Sequence, residues 1–248
     1  MLRSRIIPVI LIKNGYVVKS INFKDYRYIG EPINIVRIFN DKQADEIVVY
    51  DIDCNGPQKE INFNLIKNIA SETRMPLCYG GGLRNIEDIY RIFSYGVEKV
   101  SINSFIYKDI NFIKEVSNIF GAQSTVVTLD INLGKEGYYI HKQNLFFNEE
   151  NCLELIQKLI DFGVGEIIIN CIHKDGTLSG FDSDLIKKFY HKIKIPLTFV
   201  GGANSIEEIK NINSKYKYLG LGVGSFFIYK GKNKAILISY PEDITNKN

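Results

Sequence analysis

The sequence predicts a closed (β/α)₈ barrel, and three observations carry the prediction. Eight short β-rich apolar runs alternate with helix-length amphipathic segments along 248 residues, a length at which single α/β barrels are common. Gly81-Gly82-Leu83-Arg84-Asn85-Ile86-Glu87-Asp88-Ile89 returns 120 positions later as Gly201-Gly202-Ala203-Asn204-Ser205-Ile206-Glu207-Glu208-Ile209, so two similar halves build the chain. No linker, low-complexity tract or change of composition divides it, and residues 1–248 are expected to form one barrel domain.

The first strand is read over Arg5 to Leu11. The cations before Ile6 to Ile12 outline a signal peptide, but this apolar run is short and Lys13-Asn14-Gly15 follows it with no small-residue cleavage site. The remaining strands are expected over Glu46 to Asp51, Pro76 to Tyr79, Glu98 to Ile102, Thr125 to Asp130, Glu166 to Asn170, Pro196 to Val200 and Tyr218 to Leu221. Pro32 suits a first helical turn. Asn85 can cap a helix running to Tyr95, with Glu87 and Asp88 in its first turn. Two stretches exceed simple βα loops: Ile12 to Glu31, and Asn132 to Asn148, whose GYYIHKQNLFF pattern suits a small hairpin. Both follow strands, at the face where barrels carry chemistry, and both are candidate lids.

Composition narrows the function. Apolar residues make up 45% and charged residues 24%, which excludes a disordered or fibrous chain. Thirty-one basic against 28 acidic residues leave a net charge of +3, too little for a nucleic-acid protein. No run approaches the roughly 18 apolar residues of a membrane span. Cys54, Cys78, Cys152 and Cys171 are scattered and form no CxxC pair, so spacing indicates neither zinc nor a disulfide framework. The expectation is a soluble, cytoplasmic protein.

The residues able to do chemistry sit at the strand ends. Glycine clusters follow the third, seventh and eighth strands, at Gly80-Gly81-Gly82, Gly201-Gly202 and Gly222-Val223-Gly224-Ser225. Asn103-Ser104 ends the fourth strand, and Asp175-Gly176 follows the sixth. Such clusters let backbone N–H groups approach an anion, and their recurrence in two halves points to two phosphate sites facing across the mouth. Asp51 and Asp130 end strands, and Asp53, His173 and Asp175 follow closely, so each is placed for acid–base work. Arg5, Glu46, Lys99 and Glu166 stand at strand starts. Pointing outward they form a solvated rim; pointing inward they must pair.

RIIPVILIKNGYVVKSINF, YGGGLRNIEDI, VEKVSINS, TVVTLDI, CIHKDGTLSG and VGGANSIEEI together resemble the cyclase subunit of imidazole glycerol phosphate synthase, a histidine-pathway barrel that works with a glutaminase. The likeness runs from residue 1 to about residue 229. It implies a bisphosphate substrate held by Gly82, Asn103 and Ser104 on one side and by Asp175, Gly176, Gly202, Gly224 and Ser225 on the other, with Lys19 in a mobile first loop. It implies an ammonia gate at Arg5, Glu46, Lys99 and Glu166, a glutaminase docked at the N-terminal face, and no metal or cofactor.

The departures are as specific as the matches. The family's two catalytic aspartates map to Asp130 and to Leu11, and an isobutyl group transfers no proton. His173 replaces the Asp before the Asp-Gly-Thr motif, and residues 230–248 form a divergent tail where the family has a full eighth helix. That tail, together with the aliphatic IPVILIKNG start and YIGEPINIVRIFN, resembles the branch of the family associated with surface polysaccharides. That likeness implies ammonia passed toward a sugar amidotransferase that makes an acetamidino sugar. A cyclase in which His173 or Asp53 replaces the lost carboxylate, and a non-catalytic activator of a glutaminase, are the alternative readings.

Overall fold

The computed structural model describes residues 4–55, 60–141 and 149–241. Numbered along the chain, eight parallel strands form the barrel: β1 (Arg5–Lys13), β4 (Ile47–Asp51), β5 (Leu77–Gly80), β6 (Lys99–Ile102), β7 (Thr125–Gly134), β9 (Glu166–Cys171), β10 (Leu197–Val200) and β11 (Gly220–Val223). They neighbour one another in sequence order, and β1 closes the ring on β11 with Arg5 opposite Gly220. Helices α1 (Pro32–Asp41), α2 (Phe63–Glu72), α3 (Ile86–Phe93), α4 (Asn111–Phe120), α5 (Glu149–Asp161), α6 (Ser183–Tyr190) and α7 (Ile206–Lys215) follow the strands. No helix among the described residues is long and apolar enough to cross a membrane.

Strand alternation sorts the side chains into two cores. Ile7, Val9, Val48, Cys78, Val126, Ile168 and Val200 pack inside the bore, whereas Ile6, Ile10, Val49 and Ile169 join the larger layer against the helices. The repeat is visible in the caps. Asn85 accepts from the Asp88 N–H at the start of α3, and Ser205 accepts from the Glu208 N–H at the start of α7.

Two sequence expectations change. The segment Ile12 to Glu31 is not a loop but a β-hairpin, in which β2 (Tyr16–Ile21) pairs antiparallel with both β1 and β3 (Lys24–Gly30). Asn14-Gly15 makes the first turn with both residues at positive φ, the preferred geometry of a two-residue hairpin. The last barrel strand is Gly220–Val223 instead of Tyr218 to Leu221. Glycine is depleted in strands, but a Cβ at Gly220 would stand 2.1 Å from Thr198 Oγ1. The second long stretch is a hairpin as its pattern suggests: β7 extends to Gly134 and pairs with β8 (Gly137–Ile140), while residues 142–148 lie outside the described residues.

Of the divergent tail, residues 230–241 are described. α8 (Ser225–Ile228) has four residues and leads into a small hairpin of β12 (Tyr229–Lys230) and β13 (Ala235–Ile236). Tyr240 is then buried against Phe227, their rings 5.2 Å apart, and its hydroxyl donates to the Ile6 carbonyl at 3.0 Å. The tail thus packs on the outside of the barrel beside the start of β1.

Candidate functional site

At the N-terminal end of the bore, the first residues of β1, β6 and β9, and Glu46 just before β4, turn inward. Arg5 Nη1 donates to Glu46 Oε2 at 2.6 Å and Nη2 to Glu166 Oε1 at 2.7 Å, while Lys99 Nζ reaches Glu46 Oε1 at 2.8 Å and Glu166 Oε2 at 3.0 Å. The result is a closed ring of alternating charges. Thr198 adds a hydroxyl donor to Glu166 at 2.7 Å. Burial opposes ionisation of Glu166, but Arg5, Lys99 and Thr198 outweigh it and hold the carboxyl well below its ordinary value. Burial likewise opposes the Lys99 charge, and Glu166 and Glu46 overcome it.

Above the ring the bore is apolar, then crossed by hydroxyls. Tyr50 Oη lies 2.8 Å from Thr128 Oγ1, which lies 2.6 Å from Ser101 Oγ. Burial pushes the Tyr50 phenol far up, so the chain stays neutral.

The opposite end opens into a cavity of about 400 Å³ lined by Leu11, Asp51, Gly82, Asn103, Ser104 and Asp130 among others. A narrower cleft continues from it across Leu11 and Asn170 to Lys19, Asp175, Gly176, Gly202, Gly224 and Ser225. Asp130 is 7% exposed and fixed from both sides: Asn103 Nδ2 donates to one oxygen at 2.8 Å and Asn170 Nδ2 to the other at 3.0 Å. The amide oxygens of these two asparagines are buried and have no partner. A buried acceptor left unpaired is costly, so the site is short of N–H or O–H donors.

The β2–β3 hairpin covers the cleft. Ser20 Oγ donates to Asp175 Oδ2 at 3.0 Å and the Asn22 N–H to the Asp175 carbonyl at 3.0 Å. Gly176 has φ +70°, and a Cβ there would fall 1.9 Å from the Ser20 carbonyl. Lys19 lies on β2, buried, with Nζ donating to the Val9 carbonyl. Burial lowers its pKa to about 8 against the pull of Asp175. From the turn, Phe23 meets His141 edge to face at 6.3 Å, and both line the large cavity.

The structure therefore gathers Leu11, Asp130 and the glycine clusters at one mouth and the four charges at the other end. Asp53 and His173 line neither mouth cavity. Asp53 accepts from the Asn14 N–H, and His173 Nε2 stands 2.9 Å from Asp182 Oδ2. The sequence reading passed over Ser101, Thr128, Asn170 and Tyr50. Strand period finds them: two residues beyond Lys99 is Ser101, and four beyond Glu46 and Glu166 are Tyr50 and Asn170.

A closed bore sealed by paired charges below and opening into a cavity above defines a (β/α)₈ barrel with a candidate site at its mouth. The chain belongs to the histidine biosynthesis protein family, whose model matches residues 5–234. It is 44% identical over 97% of its length to a Leptospira borgpetersenii protein provisionally named imidazole glycerol phosphate synthase subunit HisF, covering 96% of that protein. It is 39% identical over 98% of its length to the Pseudomonas aeruginosa protein provisionally named subunit hisF2, covering 97% of it. To the imidazole glycerol phosphate synthase subunit HisF of Lactococcus lactis MG1363 it is 37% identical over 92% of its length, covering 90% of that protein.

Proposed function

We propose that this chain is the synthase subunit of a glutamine-dependent complex, receiving ammonia from a glutaminase docked at its N-terminal face and passing it through the bore. The acceptor is a surface-polysaccharide sugar on which a sugar amidotransferase forms an acetamidino group, and the mouth holds a phosphorylated small molecule. The observation that carries this is the union of the closed ring of Arg5, Glu46, Lys99 and Glu166 with a mouth in which Leu11 stands where a second acid would be needed for ring closure.

Lys99 is the movable member of the ring, because its ammonium sits on a flexible stem while Arg5 is held bidentate. When Lys99 swings aside, Arg5 still neutralises part of the carboxylate charge, and a neutral ammonia molecule passes into the apolar layer of Ile7, Val48 and Val126. The hydroxyls of Tyr50, Thr128 and Ser101 then offer hydrogen bonds on the way up. At the mouth, Gly82, Asn103 and Ser104 hold one phosphate, while Gly176, Gly202, Gly224 and Ser225 hold the other beside Lys19 and Asp175. Asp130 is the proton carrier, and the free amide oxygens of Asn103 and Asn170 accept hydrogen bonds from the nitrogen being transferred.

The test is the reconstituted complex with its glutaminase and sugar amidotransferase. In Lys99→Ala, glutamine-dependent amidation should fall while ammonia-dependent amidation is retained; if both are unchanged, the conduit is wrong. The name of the Lactococcus relative favours a second reading, a histidine-pathway cyclase. That reading needs an acid or base in place of Leu11.

A further inference from the structure

On the outside of β9, away from the bore, three side chains of metal-ligand type meet. Cys171 Sγ lies 3.6 Å from each ring nitrogen of His173 and 3.9 Å from Asp182 Oδ2, and His173 Nε2 is 2.9 Å from that same oxygen. Around a tetrahedral zinc ion, with Zn–S about 2.3 Å and Zn–N or Zn–O about 2.1 Å, neighbouring ligand atoms stand about 3.3 to 3.7 Å apart. The two sulfur distances lie within about 0.3 Å of those edges, and the His173–Asp182 pair, hydrogen-bonded at 2.9 Å, opens by about 0.5 Å to admit the ion. Hydrogen bonding divides the Asp182 carboxylate in the way a ligand requires. Oδ1 is anchored by the Asp184 and Leu185 N–H groups at the start of α6, and Tyr138 Oη bridges both oxygens at 2.9 Å, leaving Oδ2 turned toward His173. The Lys174 N–H is directed at the Cys171 sulfur, the kind of outer contact that supports a metal-bound thiolate.

We propose that Cys171, His173 and Asp182 bind one divalent cation of the zinc class, with solvent in the fourth position on the exposed side of His173. Binding releases the Cys171 S–H proton to solvent and moves the His173 ring proton from Nε2 to Nδ1, so that Nε2 ligates as a neutral imidazole, with no change of oxidation state. The ion is structural. It ties the turn that leads into Asp175 and Gly176 to the start of α6, and through Tyr138 to the β7–β8 hairpin whose last described residue, His141, lines the mouth. A mixed S, N and O donor set suits zinc over magnesium or calcium.

The experiment uses Co²⁺ as the probe, added to full-length protein stripped with a chelator under reductant. Wild type should take up one Co²⁺ per chain, with a sulfur-to-cobalt charge-transfer band and tetrahedral visible bands that Zn²⁺ abolishes. Asp182→Asn keeps Oδ1 as the cap of α6 and should weaken binding at least about tenfold, and Cys171→Ser should remove the charge-transfer band. Tyr138→Phe, which removes only an outer contact, should weaken binding by about tenfold or less. Circular dichroism establishes that each variant is folded, and should Cys171→Ser fail to fold, His173→Gln takes its place. No band in folded wild-type protein overturns the site. So does undiminished affinity in folded Asp182→Asn, or a band that survives Cys171→Ser.

Discussion

On the proposed function, Leu11 sets which chemistry the mouth supports. It shares the cavity with Asp130, Asn103 and Asn170, which are polar and mutually bonded, so an aliphatic side chain stands beside the one buried carboxylate held there by two asparagines. Given ammonia and the histidine-pathway bisphosphate, the protein should turn over at least about a hundredfold more slowly than a cyclase carrying both carboxylates, the scale of losing one acid or base. Leu11→Asp should raise that rate, because Leu11 faces the cavity and a carboxylate there meets no apolar core. Steady-state rates for both proteins check this. Near-normal turnover in the wild type sinks the amidation reading. Asp130 was legible in the sequence because strand ends can be counted, whereas Leu11 stands out only through the resemblance. The partners that hold Asp130 were not legible, since Asn103 and Asn170 come from different strands and meet only when the sheet closes.

Among the elements, the β2–β3 hairpin carries the most consequence for the site. Reading Ile12 to Glu31 as a loop overlooked Asn14-Gly15, a strong two-residue hairpin signal, and the β-branched pair Val17 and Val18, which are buried. The mobile Lys19 implied by resemblance is here a buried strand residue, a placement that depends on tertiary docking no local pattern encodes. That docking runs through Gly176. Gly176→Ala brings a Cβ onto the Ser20 carbonyl and forces a positive φ on alanine, so the hairpin must lift. The expected outcome is a loss of about 1–3 kcal/mol in urea unfolding, the range for strained backbone, and faster proteolysis between Ile21 and Lys24. Unchanged proteolysis in this variant would show that the hairpin does not rest on that contact.

For the molecule as a whole, the eight-strand order was readable from pattern and repeat, whereas the ends of the last strand were hidden by glycines that the packing of Thr198 and Val200 demands. The charged ring binds the bottom of the barrel together across β1, β6 and β9, and its acid behaviour follows from Glu166. Held below the ordinary carboxyl value of 4.5, this group contributes stability that is complete above that value and drains away as pH falls toward its folded value. Urea midpoints from pH about 6 down to about 3 should therefore fall, and Glu166→Gln should flatten that fall while lowering stability at neutral pH. An equally steep acid limb in Glu166→Gln would place the titrating group elsewhere. The seam between β1 and β11 carries a last consequence, for synthesis. β1 leaves the ribosome before the other seven barrel strands, yet one of its three strand partners, β11, is the last of the eight to follow. Throughout translation its open edge, flanked by Ile6, Ile7, Val9 and Ile10, stays available to any passing strand. The β1–β11 seam is thus the joint of the barrel that synthesis completes last.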